Sequence, residues 1–272
     1  MKKILYDIEN THCSYDGAKV VLEIEHLTIP ERKIIFFVGP SGVGKSTILE
    51  TLGMMNNTIL SSSKFEYKGN EMSTLWLPEH RRKLSVLRNS DFSFIFQQNN
   101  LMPNFSAYEN AMTAALFQGL STEQARIKVC DVFSLLNLPK EDRYIHEYSG
   151  GQQQRIAFAR AIIPNFAVLF GDEPTGNLDS FSADNLIGIL SNVIHERRAT
   201  AIIVSHDIRL ALKYADMIVQ IQKCTTVENN RKSSYGKIDN LCVYEKINDS
   251  WLNMEKNYDE EKLFAKLIKE LK

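Results

Sequence analysis

The chain of 272 residues lacks any apolar run of about 18 residues, the length that a helix needs to cross a bilayer. It has only four cysteines, and none of them forms a C-x-x-C pair, which argues against zinc sites and fits a reducing cytosol. The first ten residues carry two lysines but only a short apolar patch, so they are not expected to act as a secretory signal. Any association with a membrane is therefore expected to come through partner proteins.

The chain also has almost no net charge. Its 32 basic and 33 acidic residues give a formal charge of −1. The chain therefore lacks the excess of positive charge that attracts nucleic acid. The contents of 44% hydrophobic and 24% charged residues are those of an ordinary globular protein. No nucleic-acid partner is expected, and the length fits one large domain with an insertion and an appendage.

The most specific motif is GPSGVGKST at residues 39–47, which matches the pattern G-x-x-x-x-G-K-[ST]. An apolar run at 34–38 precedes it and a helix-forming run at 48–52 follows, so it is predicted to connect a buried strand to a helix. Its glycines let the chain curl with several backbone N–H groups pointing inward, and the helix N-terminus favours an anion. The motif therefore predicts a phosphate-binding loop, and the alternative is a glycine-rich turn that binds nothing.

Two side chains in this loop have specific predicted roles. Lys45 can reach the β and γ phosphates of a nucleotide, and the Ser46 hydroxyl can be a ligand of Mg²⁺. The predicted nucleotide contacts comprise the whole loop: Gly39, Pro40, Ser41, Gly42, Val43, Gly44, Lys45, Ser46 and Thr47.

A second apolar run, at 167–170, is predicted to be a central parallel strand that leads to two carboxylates. Open α/β sheets bind ligands beyond the C-terminal ends of their strands, so Asp172 and Glu173 should face the phosphate loop. Asp172 suits the Mg²⁺ ion, and Glu173 suits polarising the water that attacks a γ-phosphate. The alternative is a pair of ordinary solvated surface carboxylates.

A third apolar run, at 201–204, ends in Ser205-His206-Asp207. If it is a neighbouring strand, His206 lies close enough to a γ-phosphate to hydrogen-bond to it. The alternative is that His206 is a structural residue at a strand end.

The order and spacing of these motifs resemble those of ABC-type ATPases, from Tyr15 to about Ile221. By that resemblance 39–47 is the Walker A loop, Gln97 the Q-loop glutamine, Ser149-Gly150-Gly151-Gln152 the signature, Asp172 and Glu173 the Walker B pair, Asp179 the end of the D-loop, and His206 the switch histidine. Tyr15 matches the aromatic residue that stacks on adenine. The alternative for Tyr15 is a half-buried aromatic of an N-terminal strand.

The resemblance implies a homodimer with ATP and Mg²⁺ as cofactors. Ser149, Gly150, Gly151 and Gln152 of one subunit, with Asp179, would contact the ATP that Lys45 of the other subunit holds. Ser46, Gln97 and Asp172 would surround the metal, and Glu173, Gln97 and His206 would be catalytic. Removal of the γ-phosphate deletes the contacts from the signature and lets the dimer open.

The implied fold class is α/β, a P-loop NTPase of ABC type with a mixed central sheet, an N-terminal antiparallel β lobe and a helical insertion lobe. We predict an ATPase domain over residues 1–221, with the helical lobe at about 98–160 inserted in it. Apolar residues in this stretch recur at helical spacing, for example Ala111 and Ala115, then Val129 and Phe133.

Residues 222–272 are predicted to be an appendage. Residues 222–240 are polar and 228–234 read as an exposed loop, 241–247 as a strand, and Asn257 with Glu260 as a helix start. The helix carries one apolar stripe: Leu263, Phe264, Leu267, Ile268 and Leu271. The stripe is buried either on its own domain or against a second subunit or a permease.

Two segments, 94–110 and 172–179, are similar to those of the ATPases of the lipoprotein-release, macrolide-export and cell-division group, whose partners include an FtsX-like permease. Tyr148 and Gly171 depart from the usual Leu and Ala. We expect a cytoplasmic ATPase bound to the inner face of the cell membrane through a permease, docked at residues 92–105. The alternatives are an ATP-switched regulatory scaffold of a membrane complex and a soluble ABC ATPase acting on nucleic acid or ribosomes.

Overall fold

The computed structural model describes residues 3–228 and 231–270, and it divides into two compact units. Unit 1 comprises Met1–Ser85 with Ile202–Lys272, and unit 2 comprises Val86–Ala201. The strands are β1 (Ile4–Cys13), β2 (Leu22–Pro30), β3 (Ile34–Val38), β4 (Ile59–Ser61), β5 (Lys64–Tyr67), β6 (Asn70–Glu71), β7 (Phe92–Ile95), β8 (Val168–Asp172), β9 (Thr200–Val204), β10 (Met217–Gln220), β11 (Gln222–Glu228), β12 (Arg231–Ile238), β13 (Val243–Ile247), β14 (Ser250–Leu252) and β15 (Asn257–Tyr258). The helices are α1 (Lys45–Leu52), α2 (Arg81–Asp91), α3 (Ala107–Phe117), α4 (Thr122–Leu135), α5 (Gly150–Ile162), α6 (Ser180–Arg197), α7 (Ile208–Tyr214) and α8 (Glu260–Glu270).

The first sheet of unit 1 is built around β1. This strand pairs antiparallel with β2 on one side and with β5 on the other, and its side chains alternate between buried and accessible positions. Tyr6 and Ile8 are fully buried by this alternation. The pairing confirms the predicted N-terminal antiparallel β lobe.

The second sheet of unit 1 follows the order β15-β14-β13-β10-β3-β9. Every residue of β3 is buried, and β3 pairs parallel with β10, whereas β10 pairs antiparallel with β13. Strands buried on both faces need continuous apolar runs, which is why residues 34–38 and 201–204 could be recognised in the sequence. The strand predictions for both runs and the mixed α/β fold are confirmed.

Unit 2 combines the parallel strand pair β7–β8 with helices α3, α4 and α5. Helices α3 and α4 each begin with a capping box, in which Ser106 and Ser121 accept from the backbone three residues on. Ala111, Ala115, Val129 and Phe133 are buried, as their helical spacing predicted. The β8 strand extends beyond the predicted run and includes Gly171 and Asp172.

The polar segment after β10 differs from its prediction. The expected exposed loop is instead a hairpin of β11 and β12, and β12 also pairs parallel with β2 at Gly236↔Leu22. Asn229 and Asn230 lie outside the described residues. Backbone pairing along an existing strand holds this hairpin, so it forms without the apolar alternation that marks most strands.

The N-cap of the C-terminal helix α8 lies two residues later than predicted. Asn257 belongs to β15, and Asp259 caps the helix by accepting from the backbone N–H of Lys262 at 2.8 Å. Leu263 and Leu267 are buried within unit 1, where α8 contacts α7, β14 and β15. These two residues of the stripe are therefore covered by their own unit, and Leu271 lies outside the described residues.

No helix in the described ranges 3–228 and 231–270 combines the length and apolar character that crossing a bilayer requires.

Candidate active site

The predicted phosphate loop leads from β3 into α1 in unit 1. The Lys45 ammonium donates to the carbonyl oxygens of Gly39 at 2.9 Å and Pro40 at 3.0 Å, so the loop curls around its own lysine. Gly44 is the residue before α1 and has a φ of 94°, a left-handed conformation that favours glycine. A curled backbone, an ammonium group and a helix N-terminus together fit a chain of phosphates.

Tyr15 lies beside α1, after the end of β1. Its hydroxyl donates to the Glu50 carboxylate at 2.8 Å and lies 3.3 Å from the Thr47 hydroxyl, while 54% of the residue stays exposed. Partial burial is the largest cause that raises the pKa of Tyr15, to about 12, so the hydroxyl remains a donor at neutral pH. Tyr15 follows the end of β1 at Cys13, whereas Tyr6 is a fully buried aromatic within that strand.

In unit 2 the structure brings Gln97 and Glu173 together. The Gln97 amide donates to a Glu173 carboxylate oxygen at 3.4 Å. Ile95 at the end of β7 pairs with Gly171 in β8, so both side chains follow neighbouring strand ends. Asp172 and Glu173 are half-buried, unlike ordinary solvated carboxylates, and Glu173 has a φ of 44°.

The signature residues form the N-terminus of α5. Ser149 caps the helix, accepting from Gln152 N at 3.4 Å, and its own N–H donates to the Gln152 side chain at 3.0 Å. Ser149 and Gly150 are exposed, and a Cβ on Gly150 would meet no atom within 4 Å. This helix end is therefore accessible to a ligand that approaches from outside unit 2.

Tyr148, which departs from the usual Leu before the signature, is buried. Its hydroxyl donates to the carbonyl of Glu141 at 3.0 Å, and burial raises the pKa of the phenol. The extra hydroxyl is thus satisfied away from Ser149, which explains why tyrosine fits at this position.

The remaining predicted residues, Asp179 and His206, lie next to the starts of α6 and α7. In unit 2, Asp179 caps α6 by accepting from Phe181 N at 3.1 Å and Ser182 N at 3.0 Å, and hydrogen bonding, from Ser182 first, lowers its pKa. In unit 1, His206 is exposed between β9 and α7. Ser205 N donates to the carbonyl of Phe37 at 3.1 Å, which fixes the start of this turn against β3.

Sequence reasoning missed two residues that connect α5 with the rest of unit 2. The buried Gln154 side chain donates to the carbonyl of Pro174 at 2.6 Å, next to Glu173. The Arg160 guanidinium donates to the carbonyls of Asn100 at 2.7 Å and Asn99 at 2.8 Å, in the segment after Gln97. No sequence signal marks them, because both donate to backbone carbonyl groups and their spacing of six residues puts them on different faces of α5.

Sequence reasoning also missed Glu50, the partner of Tyr15. Its position three residues after Thr47 in α1 puts both side chains on one helix face, and this spacing was a usable signal. The phosphate loop of unit 1 by itself fits the phosphates of a nucleoside triphosphate. Unit 2 by itself presents the amide of Gln97 and the carboxylate of Glu173, which are oxygen groups of the kind that Mg²⁺ prefers.

The sequence profile of the ABC transporter family matches residues 22–176. The chain is 36% identical to the lipoprotein-releasing system ATP-binding protein LolD of Desulfotalea psychrophila over 208 residues, which cover 76% of this chain and 90% of that protein. It is 36% identical to the macrolide export ATP-binding/permease protein MacB 1/2 of Paracoccus denitrificans over 221 residues, which cover 80% of this chain and 32% of that protein.

A solved structure of similar fold is the dimeric post-hydrolysis state of the ATP-binding cassette MJ0796, bound to ADP and Pi. The TM-score is 0.68 at 25% sequence identity, and the match covers 84% of this chain and 98% of that one.

Proposed function

This chain belongs to the ABC transporter family, and from that premise we propose how its residues bind and hydrolyse ATP and which partner they drive. It is an ATP-binding and hydrolysing subunit of an ABC transport system. It works as a homodimer with a membrane permease, and it uses ATP and Mg²⁺.

The proposed nucleotide site is residues 39–47 with Tyr15. The loop amides and Lys45 bind the phosphates, and the exposed ring of Tyr15 stacks on the base. Mg²⁺, when bound, neutralises charge that develops on the phosphates, and Ser46, Gln97 and Asp172 are its proposed ligands. The hydrogen bonds of Lys45 to Gly39 and Pro40 support this assignment, because they hold the ammonium inside the loop.

Glu173 is the proposed general base, and the observation that carries this role is its contact with Gln97. The amide of Gln97 orients one carboxylate oxygen, so that Glu173 can accept a proton from an attacking water. His206 is proposed to bind the γ-phosphate.

The signature residues, Ser149, Gly150, Gly151 and Gln152, are proposed to contact ATP held by the second copy, together with Asp179. Their accessible helix end supports this, since α5 presents N–H groups and a positive dipole end to a ligand. Loss of the γ-phosphate removes these contacts and lets the two copies separate.

We further propose the division of the chain into an ATPase domain, 1–221, with a helical lobe at about 98–160, and an appendage, 222–272. The proposed partner is an FtsX-like permease at the inner face of the cell membrane, with this chain on the cytoplasmic side. Within the proposed docking region 92–105, Phe92 is buried and Phe94 is half-buried, whereas Gln98, Asn100 and Phe105 are among the exposed residues. These exposed positions are the proposed contacts.

The substitution Glu173→Gln tests the catalytic assignment. It keeps the size of the side chain but removes the base, so ATP binding and dimerisation should persist while turnover falls by about 10²–10⁴-fold. Phosphate release and size-exclusion chromatography with ATP measure both properties. The matched control is Glu196→Gln, on the exposed face of α6, which should hydrolyse ATP like the wild type. Wild-type turnover in Glu173→Gln would contradict the role.

A further inference from the structure

The hairpin of β11 and β12 lies directly behind the predicted phosphate loop. It follows β10 through Ile221, and β12 then runs parallel to β2 with Gly236 opposite Leu22. The Gly236 N–H donates to the carbonyl of Val21 at 2.9 Å, which fixes this register. Gly236 is therefore in direct contact with Val21 and Leu22, which precede it by more than 200 residues in the sequence.

Gly236 touches the loop so closely that no larger residue fits. A Cβ on Gly236 would overlap the carbonyl oxygen of Val43, and it would lie 2.8 Å from Ile221 Cγ2 and 3.1 Å from Leu22 Cδ1. Gly236 does not have a positive φ, so its backbone conformation is open to other residues. The close approach alone requires glycine at this position.

The same residues support the loop at both of its ends. A Cβ on Gly39 would lie 2.9 Å from the Ile221 carbonyl oxygen, and Ile221 N donates to the carbonyl of Val38 at 2.8 Å. At the other end, a Cβ on Gly44 would lie 3.3 Å from the Val21 carbonyl oxygen. The phosphate loop is thus contacted at its first glycine, Gly39, by Ile221. It is contacted at its last glycine, Gly44, by Val21 and Leu22.

We propose that Gly236 is a positioning residue for ATP: the C-terminal hairpin fixes the Val43 carbonyl and so holds the loop in its phosphate-binding conformation. This inference rests on the proposed role of residues 39–47. The loop binds phosphates through several backbone N–H groups at once, and a displacement of the backbone by a few tenths of an ångström weakens all of them together.

The experiment is a titration of purified full-length protein with the non-hydrolysable analogue adenylyl imidodiphosphate and Mg²⁺, followed by calorimetry. Gly236→Ala should weaken binding by about tenfold or more, because its methyl group displaces Val43. Ser234→Ala is the matched control, since Ser234 is exposed on the same strand, and it should bind like the wild type. Equal affinity of Gly236→Ala and the wild type would overturn the proposal.

Steady-state kinetics separate positioning from a general loss of stability. In Gly236→Ala the KM for ATP should rise in proportion to the lost affinity, whereas kcat at saturating ATP should fall less, because bound phosphates restore the loop. A loss confined to kcat or to the melting temperature, with an unchanged KM, would contradict the proposal.

Hydrogen exchange on the wild type gives a test that does not depend on a variant that folds. The analogue should slow exchange of the Gly236 and Lys237 amides, which do not belong to the proposed nucleotide site. Unchanged exchange in β12 would overturn the inference. Lys45→Ala identifies a failure of the proposed function itself: if this variant binds the analogue like the wild type, residues 39–47 are not the nucleotide loop.

Discussion

The Tyr15 hydroxyl fixes the position of its own ring. It donates to Glu50 and contacts the Thr47 hydroxyl on one face of α1, and more than half of the residue remains accessible. A ring held at its tip beside the phosphate loop has one face available for an adenine base. Mutations of Tyr15 can therefore measure separately what its hydroxyl and what its ring contribute to ATP affinity.

Two substitutions of Tyr15 separate these contributions. Tyr15→Phe keeps the ring and should bind ATP with nearly wild-type affinity. Tyr15→Ala should lose about 1–3 kcal/mol of binding free energy, the usual contribution of an aromatic residue that stacks on a base. Titration of both variants with ATP measures this. Equal affinity of Tyr15→Ala and the wild type would show that the ring does not contact the base.

The helices α4 and α5 begin with the same kind of N-cap, but only one of these caps lies in the proposed site. Ser121 and Ser149 form the same capping box, each with a glutamine three residues later, at the starts of α4 and α5. Only the second belongs to the signature. Mutation of Ser121 and of Ser149 therefore distinguishes an effect on helix stability from an effect on nucleotide binding.

Ser149→Ala and Ser121→Ala should each lower the free energy of unfolding by about 1 kcal/mol, because each removes one N-cap hydrogen bond. Only Ser149→Ala should also reduce ATP-dependent dimerisation and turnover. Chemical denaturation and phosphate release measure the two effects. If Ser121→Ala reduces turnover equally, the effect of Ser149 is one of helix stability.

The C-terminal helix gives a second comparison within one element. Leu267 is 1% exposed and Ile268, its neighbour, is 37% exposed. Leu267→Ala should cost about 2–5 kcal/mol of stability, whereas Ile268→Ala should change it by about 0.5 kcal/mol or less. Thermal unfolding of the protein without nucleotide measures both. Comparable losses would show that the Ile268 face of α8 is covered in solution.

On the scale of the whole molecule, the chain can be recovered from gently solubilised membranes of its own cell. A multi-pass membrane protein should copurify in a stoichiometric amount, because the proposed function couples ATP hydrolysis in this chain to a membrane permease. Mass spectrometry of the copurified protein identifies it. Recovery of this chain alone, or with ribosomes or DNA, would contradict the proposed permease.

Much of the fold could be predicted because its central strands are continuous apolar runs. Residues 34–38, 167–170 and 201–204 each became a strand in the structure. The hairpin of β11 and β12 could not be predicted, since its polar residues are held by backbone pairing to β2 and not by burial of an apolar face. In the site, the strand-end position of Glu173 and the family resemblance of Gln97 made both residues predictions, and the structure brings them into contact. Contacts to backbone carbonyl groups, such as those of Gln154 and Arg160, leave no pattern in the sequence.

The pairing of Gly236 with Leu22 also has a consequence for synthesis. Leu22 leaves the ribosome 214 residues before Gly236 (236 minus 22). At the usual elongation rate of about 5–20 residues per second, roughly 10–40 s pass before the hairpin can reach β2. Until Gly236 has been synthesised, the growing chain exposes residues 39–47 without the strand β12 that contacts them, and this motif reaches its mature arrangement only afterwards.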